Sequence, residues 1–408
     1  MTTHDANDVS GPSSPLRDKL RSTMADGSVA EAFFVFSLTR LLILAIIVVT
    51  GAATLNYRAA TFDPTDPHPI ASLRFNELGQ QLDYTLSRGD AGWYLGIARD
   101  GYERRAFENT QAHNWVFFPL YPALVSVVGA VTGKYLIAGA LLSNALFFVA
   151  LVLLHKLVLA LRYDRLVADR TIFYTAIFPV SYFFSLPITE ALFLCVVAGS
   201  FLAAARGHWW AAGLLGAAAS ATRLNGLLLL PALAIFSWQQ TPRALRPREL
   251  AWLALVPAGV LAFSAFLWKI TGHPLAFIDA IAAWDRKSGF FLAPLWEYIT
   301  HPLRLIEPWD FRLLNFAAAV TALAAAAFWI RKKQWAFAAF SFLMIFLPLS
   351  SMRLQSLARY TSVIFPVFIA LALLGRNPRF DTALRVLFLV LLGVMTLCYA
   401  LRFSFAAA

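Results

Sequence analysis

The chain has 408 residues, of which 59% are hydrophobic and only 14% charged, and its mean hydropathy is +0.65. A soluble domain is about half apolar and about a quarter charged, so this composition excludes one: too little polar surface would remain to cover the core, whereas a bilayer faces Leu, Phe and Ala directly. The net charge of +11 would suggest nucleic acid in a soluble chain. Here, however, the basic residues fall between apolar runs, the pattern that sets membrane topology, and no nucleic-acid partner is expected.

Residues 1–28 are polar and read as a disordered cytoplasmic tail. The apolar run from Val29 to about Leu55 follows Arg17, Lys19 and Arg21. It is too long for the core of a cleaved signal and long enough to span, so it reads as a retained anchor. Residues 29–408 then read as a single transmembrane domain. Further apolar runs lie at 136–160, 170–187, 189–205, 208–222, 225–238, 251–271, 312–330, 335–350, 360–375 and 382–402. One more, 117–133, is short and opens Phe-Phe-Pro-Leu-Tyr-Pro. If it does not cross, the inner loops carry Arg162, Arg165 and Arg170, then Arg206, Arg243, Arg246 and Arg248, then Arg331, Lys332 and Lys333, then Arg376 and Arg379. If it crosses, every later loop inverts and the positive-inside bias fails. The chain is therefore expected to be an all-α polytopic membrane protein with about eleven transmembrane helices. In that topology 117–133 is a re-entrant or interfacial hairpin, and 56–116 and 272–311 are long extracytoplasmic loops. In a prokaryote it would sit in the inner or plasma membrane.

The first long loop is too polar to be a plain connector. Its stretch Asp83–Tyr102 has helical spacing of apolar and aromatic residues, which suits a helix lying on the membrane surface. Within it, Arg88-Gly89-Asp90-Ala91-Gly92-Trp93-Tyr94 puts a carboxylate beside aromatic rings near a low-dielectric boundary. Such a carboxylate can serve as a base, and the rings offer faces for a sugar or an isoprenoid. A helix N-cap alone would equally account for Asp90. Asp100 and Tyr102 continue the segment. His113-Asn114-Trp115 and Tyr121-Pro122 fit an interfacial aromatic anchor with a proline turn.

Farther on, Pro187-Ile188-Thr189-Glu190 places a carboxylate at a predicted outer boundary. Thr189 fits a helix cap, while a carboxylate at membrane depth is a functional candidate. Arg223, in Thr222-Arg223-Leu224-Asn225-Gly226, either snorkels or binds. Arg353, Arg359 and Tyr360 stand at another outer boundary, where arginines run against the positive-inside bias and call for a partner such as a phosphate head group. Trp284-Asp285-Arg286 is a weaker loop candidate. All of these converge on one side of the eleven-span topology. Cys195 and Cys398 lie in apolar runs and read as packing residues. The seven histidines show no metal pattern, so no metal ligands are assigned, and a divalent cation is the one cofactor left open.

Several of these motifs resemble the PIG-V (GPI mannosyltransferase II-like) family. They are Asp90-Ala-Gly-Trp93-Tyr94-Leu-Gly-Ile97-Ala98-Arg-Asp100-Gly101-Tyr102, Phe117-Phe118-Pro119-Leu120-Tyr121-Pro122, Pro179 through Phe193, Ala221-Thr222-Arg223-Leu-Asn-Gly226, and Arg359-Tyr360 with Phe365-Pro366. They come in the family's order over about residues 30–375. The resemblance implies a C-type (GT-C) glycosyltransferase fold, a polyprenyl-phosphate sugar donor, and a catalytic carboxylate on the first outer loop, which falls on Asp90. Two departures stand out: many eukaryotic members read Trp-Asp where this chain has Gly89-Asp90, and their tyrosine before Thr-Glu is Ile188 here. The expected activity is inverting transfer of mannose from polyprenyl-phosphate-mannose to a hydroxyl of a lipid, glycan or protein acceptor on the extracytoplasmic side. Asp90 is the expected base, and Arg88, Trp93, Tyr94, Asp100, Tyr102, His113, Tyr121, Glu190, Arg223, Arg353, Arg359 and Tyr360 are the expected substrate contacts. The rival expectation is a lipid-linked sugar flippase or secondary transporter.

Overall fold

The computed structural model describes residues 27–59, 78–240, 251–284, 289–305 and 312–406. Residues 1–26 of the expected tail (1–28), part of the first long loop (60–77), Arg243, Arg246 and Arg248, and the Asp285–Arg286 pair lie outside them. Every regular element among the described residues is helical. The first apolar run forms α1 (Ser28–Ala59). The first long loop carries α2 (Leu78–Leu86) and α3 (Asp90–Asp100), and α4 (Leu120–Thr132) follows. Next come α5 (Tyr135–Ala160), α6 (Arg165–Ile177), α7 (Glu190–Ala205), α8 (Trp209–Thr222), α9 (Leu229–Gln240) and α10 (Ala258–Thr271). The second long loop carries the short helices α11 (Ala276–Asp279) and α12 (Ala293–Thr300). The chain closes with α13 (Arg312–Arg331), α14 (Trp335–Leu349), α15 (Leu357–Ser362), α16 (Phe365–Leu374) and α17 (Pro378–Ala400).

Each of the eleven apolar runs carries helix, and five segments are long and apolar enough to cross a membrane: Ser28–Ala53, Tyr135–Ala160, Ala251–Thr271, Arg312–Arg331 and Pro378–Ala400. The other runs hold shorter helices. A 13-residue helix such as α6 is about 20 Å long, less than the roughly 30 Å of a hydrocarbon core. Irregular chain makes up the rest. After α6, residues 178–189 run through a 3-10 turn (Ser181–Ser185) that is buried in protein, which is where non-helical backbone is tolerated at membrane depth.

Two segments differ from the expectation in how their helices are divided. The hairpin expected over 117–133 is one unbroken helix, α4, ending at Gly133 in the left-handed region (φ 68). Its prolines occupy the entry and first turn, where helices tolerate them, so no break falls inside. The chain turns at Gly133–Lys134 and returns as α5. Tyr121, at the start of α4, donates to the Gly139 carbonyl at 3.0 Å, so α4 lies beside only the opening turns of α5. The helix expected over Asp83–Tyr102 is two helices, separated at Ser87–Gly89. The buried residues of α3 (Ala91, Tyr94, Ile97, Ala98) pack on protein. Their ring contacts run to Phe117 and to Tyr121 of α4.

Polar groups concentrate at the two ends of the bundle. At one end, His155 hydrogen-bonds Ser28 and Asp169, each at 2.8 Å, and Arg170 donates to Asp381 at 2.9 Å. At the other end stand Asp90, Glu190, Arg223 and Arg359. A main apolar core runs through the bundle. A satellite core joins the loop residues Trp115 and Phe118 to Phe263 and Leu267 of α10 and to Phe277 of α11.

Candidate functional site

Both candidate carboxylates are the first residues of helices: Asp90 opens α3 and Glu190 opens α7. The positive end of the helix dipole favours a carboxylate there. The caps themselves are Gly89 and Thr189, and neither makes a side-chain cap bond. The N-cap account of Asp90 is therefore replaced, and its side chain is turned to another partner. Gly89 has φ 59 and ψ −134, a backbone conformation essentially reserved for glycine. The turn is held from outside: Arg88 donates to the Tyr399 and Arg402 carbonyls at 3.2 and 2.9 Å, and the Tyr399 hydroxyl donates to the Thr85 carbonyl at 2.7 Å. The end of α17 thus fixes the segment that delivers Asp90.

The partner of Asp90 is Arg359. Its Nη1 donates to Asp90 Oδ2 at 2.6 Å, and its Nε donates to Glu190 Oε1. Glu190 Oε1 also accepts from Arg223 Nη1 at 2.8 Å. The four side chains form one chain of alternating charge, Arg223–Glu190–Arg359–Asp90, which is neutral in sum. Glu190 is fully buried and the Arg359 side chain is 6% exposed, while the Asp90 side chain is 40% exposed. Water is therefore excluded from the middle of the chain and reaches its Asp90 end. Phe183 lies under the Arg359 guanidinium (5.1 Å to the ring centroid), and Tyr360 under Arg223 (5.1 Å). Arg359 is carried on α15, whose start is pinned by the Ala358 amide donating to Asn315 of α13 at 2.9 Å. Arginines expected to await a phosphate are thus already paired with carboxylates, because two helix starts bring Asp90 and Glu190 to them.

Asp90 and Arg223 stand in the wall of a cavity of about 570 Å³, together with Tyr94, Phe117, Phe118, Thr222, Asn225, Tyr360 and, on the far wall, residues 277–282 and the end of α14. That is the size range of small-molecule sites. Burial pushes the Tyr94 hydroxyl well above its ordinary value, so it stays a protonated donor.

The other expected contacts go elsewhere. Trp93 stacks on Phe117 (5.5 Å, 18°) behind the wall. Tyr121 donates to Gly139 and pairs with Ser143 at 2.8 Å, inside the core. Tyr102 donates to the Phe117 carbonyl at 2.6 Å. His113 is buried between Glu103 (2.7 Å) and Glu108 (3.3 Å) and stacks on Trp115. Asp100 is exposed and paired with Arg99, whose hydrogen bond holds its carboxyl below the ordinary range. Arg353 is exposed and does not line the cavity. No group of three or more His, Cys, Asp or Glu suited to a metal occurs among the described residues.

Two residues were missed by sequence reasoning. Asn225 lines the cavity. Arg40, buried within α1, donates to the Ser181 carbonyl at 2.9 Å and the Ala176 carbonyl at 3.1 Å, bracing the irregular segment that carries Phe183. The available signal for Arg40 was an arginine in the middle of a long apolar run.

Fold and site together define an integral membrane protein of helical architecture with a carboxylate–arginine cluster at the wall of one cavity. The chain belongs to the mannosyltransferase (PIG-V) family, whose model matches residues 30–263. That match takes in Asp90, Glu190 and Arg223 and ends before Arg359, short of the resemblance seen by motif. The chain is 31% identical over 187 residues to GPI alpha-1,6-mannosyltransferase 2 of Cricetulus griseus, a match covering 42% of this chain and 35% of that protein. It is 32% identical over 186 residues to the Mus musculus protein of the same name, covering 43% and 36%. The match thus spans about a third of the length of these curated relatives. Among solved structures, the Archaeoglobus fulgidus oligosaccharyltransferase is similar over 92% of this chain and 53% of its own, with a TM-score of 0.46 and 13% identity.

Proposed function

We propose that this chain is an inverting mannosyltransferase of the GT-C type. It moves a mannosyl residue from a polyprenyl-phosphate donor to a hydroxyl of a lipid, glycan or protein acceptor on the extracytoplasmic side of the membrane. The observation that carries the reading is the position of Asp90: a part-exposed carboxylate at a cavity wall, backed by a buried Glu190 and two arginines. Membership in the mannosyltransferase (PIG-V) family supports the sugar and the reaction class. The relatives' name specifies an alpha-1,6 linkage, and an inverting step from a β-linked donor would produce an α product.

The acceptor oxygen attacks the anomeric carbon from the face opposite the phosphate, and its proton passes to Asp90. The bond from the anomeric carbon to the phosphate oxygen breaks, and the electron pair leaves with the phosphate. Phosphate is already a good leaving group, so a strong general acid is not required, and arginine charge stabilises it. Arg359 holds Asp90 oriented before the acceptor arrives. Tyr94 offers a neutral donor to the sugar. The test is transfer of radiolabelled mannose from polyprenyl-phosphate-mannose in membranes. Asp90→Asn is expected to lower the rate by about 10²–10⁴, the scale of general-base catalysis; transfer at the wild-type rate would overturn the assignment.

A further inference from the structure

The cavity wall holds an arginine whose donors are mostly unused and, two residues away, an amide with no partner. Among the described residues, the hydrogen bond that the Arg223 side chain makes is the one from Nη1 to Glu190. A guanidinium has five N–H donors, so the rest are available to a ligand. The Asn225 amide nitrogen is buried and has no hydrogen-bond partner, and the residue as a whole is 9% exposed. Both residues line the cavity. An unmatched buried amide is costly, on the order of 1–3 kcal/mol, and such a donor in a cavity wall is matched when a ligand's acceptor reaches it.

The turn that presents them is built for the purpose. α8 ends at Thr222 and the chain enters a 3-10 turn, Leu224–Leu228, closed by the Gly226 amide donating to the Arg223 carbonyl at 2.9 Å. Gly226 lies so close to the last turn of α8 that a Cβ would overlap the Ala219 carbonyl and the Ser220 amide. Only glycine lets the turn fold back this tightly. Arg359, by contrast, spends its Nε and Nη1 on carboxylates and does not line the cavity. The other acidic group in the wall, Asp279, is paired with His273 at 2.6 Å.

We propose that Arg223 and Asn225 form the seat for a phosphate monoester or diester in this cavity, Arg223 by charge and Asn225 by its amide N–H. This deepens the transferase reading and rests on it for the identity of the phosphate as the donor's leaving group. The amide contributes what a second arginine would not: a neutral donor, so that the phosphate gains a hydrogen bond without Glu190 and Asp90 being drawn toward another cation.

The experiment uses the full chain in nanodiscs of zwitterionic lipid, with polyprenyl monophosphate as the probe and the uncharged polyprenol as control. Wild-type protein is expected to bind the phosphate and not the alcohol. Asn225→Asp, which sets a carboxylate against the phosphate, and Arg223→Gln are each expected to weaken binding by about tenfold or more, the scale of one charge-assisted hydrogen bond. Asn225→Ser, a smaller change, is expected to weaken it severalfold and covers the case that Asn225→Asp does not fold. Inorganic phosphate and nanodiscs containing phosphatidylglycerol are the competing arms. Competition by phosphatidylglycerol that depends on Asn225 would support the seat but assign it to membrane headgroups. Unchanged affinity in folded Asn225→Asp or Asn225→Ser protein would overturn it. Failure of the two readings is separable. If binding depends on Asn225 but wild-type membranes transfer no mannose, the seat stands and the transferase reading falls. If Asn225→Asp transfers mannose with the wild-type KM for the donor, the seat falls alone.

Discussion

Glu190 has no contact with water, and its carboxylate is stabilised by two guanidinium groups sharing one oxygen. Removing one partner of such a buried pair leaves the others' charge uncompensated, which costs roughly 3–5 kcal/mol. Glu190→Ala is therefore expected to lower the thermal midpoint of the purified protein sharply. Asp90 sits at the wet end of the same chain of charges, so Asp90→Asn is expected to keep a near-wild-type midpoint while losing transfer. Thermal unfolding and mannose transfer measured on the same two preparations check both. If the two variants lost stability equally, Asp90 would be a structural ion-pair partner rather than the base. Arg359 is the hinge between the two behaviours. Arg359→Lys keeps a positive charge, but an ammonium cannot match the directions of the Nε and Nη1 donors, so it is expected to restore part of the midpoint and little of the activity.

At the scale of elements, the site depends on how the ends of helices are held. At the α2–α3 turn, Arg88 ties the chain to the carbonyls at the end of α17, and Gly89 supplies the backbone that starts α3 on Asp90. Gly89→Ala would force a Cβ into that conformation at a cost of order 1–3 kcal/mol. The outcome expected is a loss of transfer larger than the loss of stability, because the turn relaxes by moving Asp90 away from Arg359. A kcat fall of less than twofold in a folded Gly89→Ala protein would show that Asp90 does not depend on this turn. Arg40 acts in the same way on another element. Its guanidinium braces residues 176–185 and lies over Phe147 (4.7 Å). Arg40→Met fills the space but leaves the Ser181 and Ala176 carbonyls without that donor.

At the scale of the molecule, the cavity lies where the main core meets the satellite core, and its walls belong to both. Asp90, Arg223 and Tyr360 stand on the main body; Phe118 and Phe277 bring in the satellite core around α10 and α11. The satellite wall is itself held by rings: Phe118 packs on Phe277 at 5.4 Å and on Phe263 at 5.0 Å. The carboxylate–arginine cluster stands on the main-core wall, and Phe118 and Phe277 shape the other. Phe277→Ala deletes a ring that is 2% exposed and opens the far wall. The expected result is a raised KM for donor or acceptor with kcat reduced much less, measured by steady-state transfer at varied concentration of each. A fall in kcat alone would place Phe277 in the reacting geometry instead.

The sequence by itself determined the solvent and the fold class. Apolar runs must be helical in a bilayer because no other local structure satisfies the backbone there, and the basic residues between them set which polar motifs share an end. Asp90, Glu190, Arg223, Arg359 and Tyr360 were thereby legible as members of one cluster. What only the tertiary structure decided is the pairing within it. Arg359 reaches Asp90 across 269 positions and Glu190 across 169, separations at which one sequence carries no periodic signal. The same limit explains the misplaced contacts. Tyr121, Tyr102 and His113 have the composition of binding residues, but packing turned their polar atoms to Gly139, Phe117 and Glu103. It also explains Asn225, which is an ordinary amide in the sequence. Its amide becomes an unmatched donor in a cavity wall only once Gly226 folds the turn back on α8.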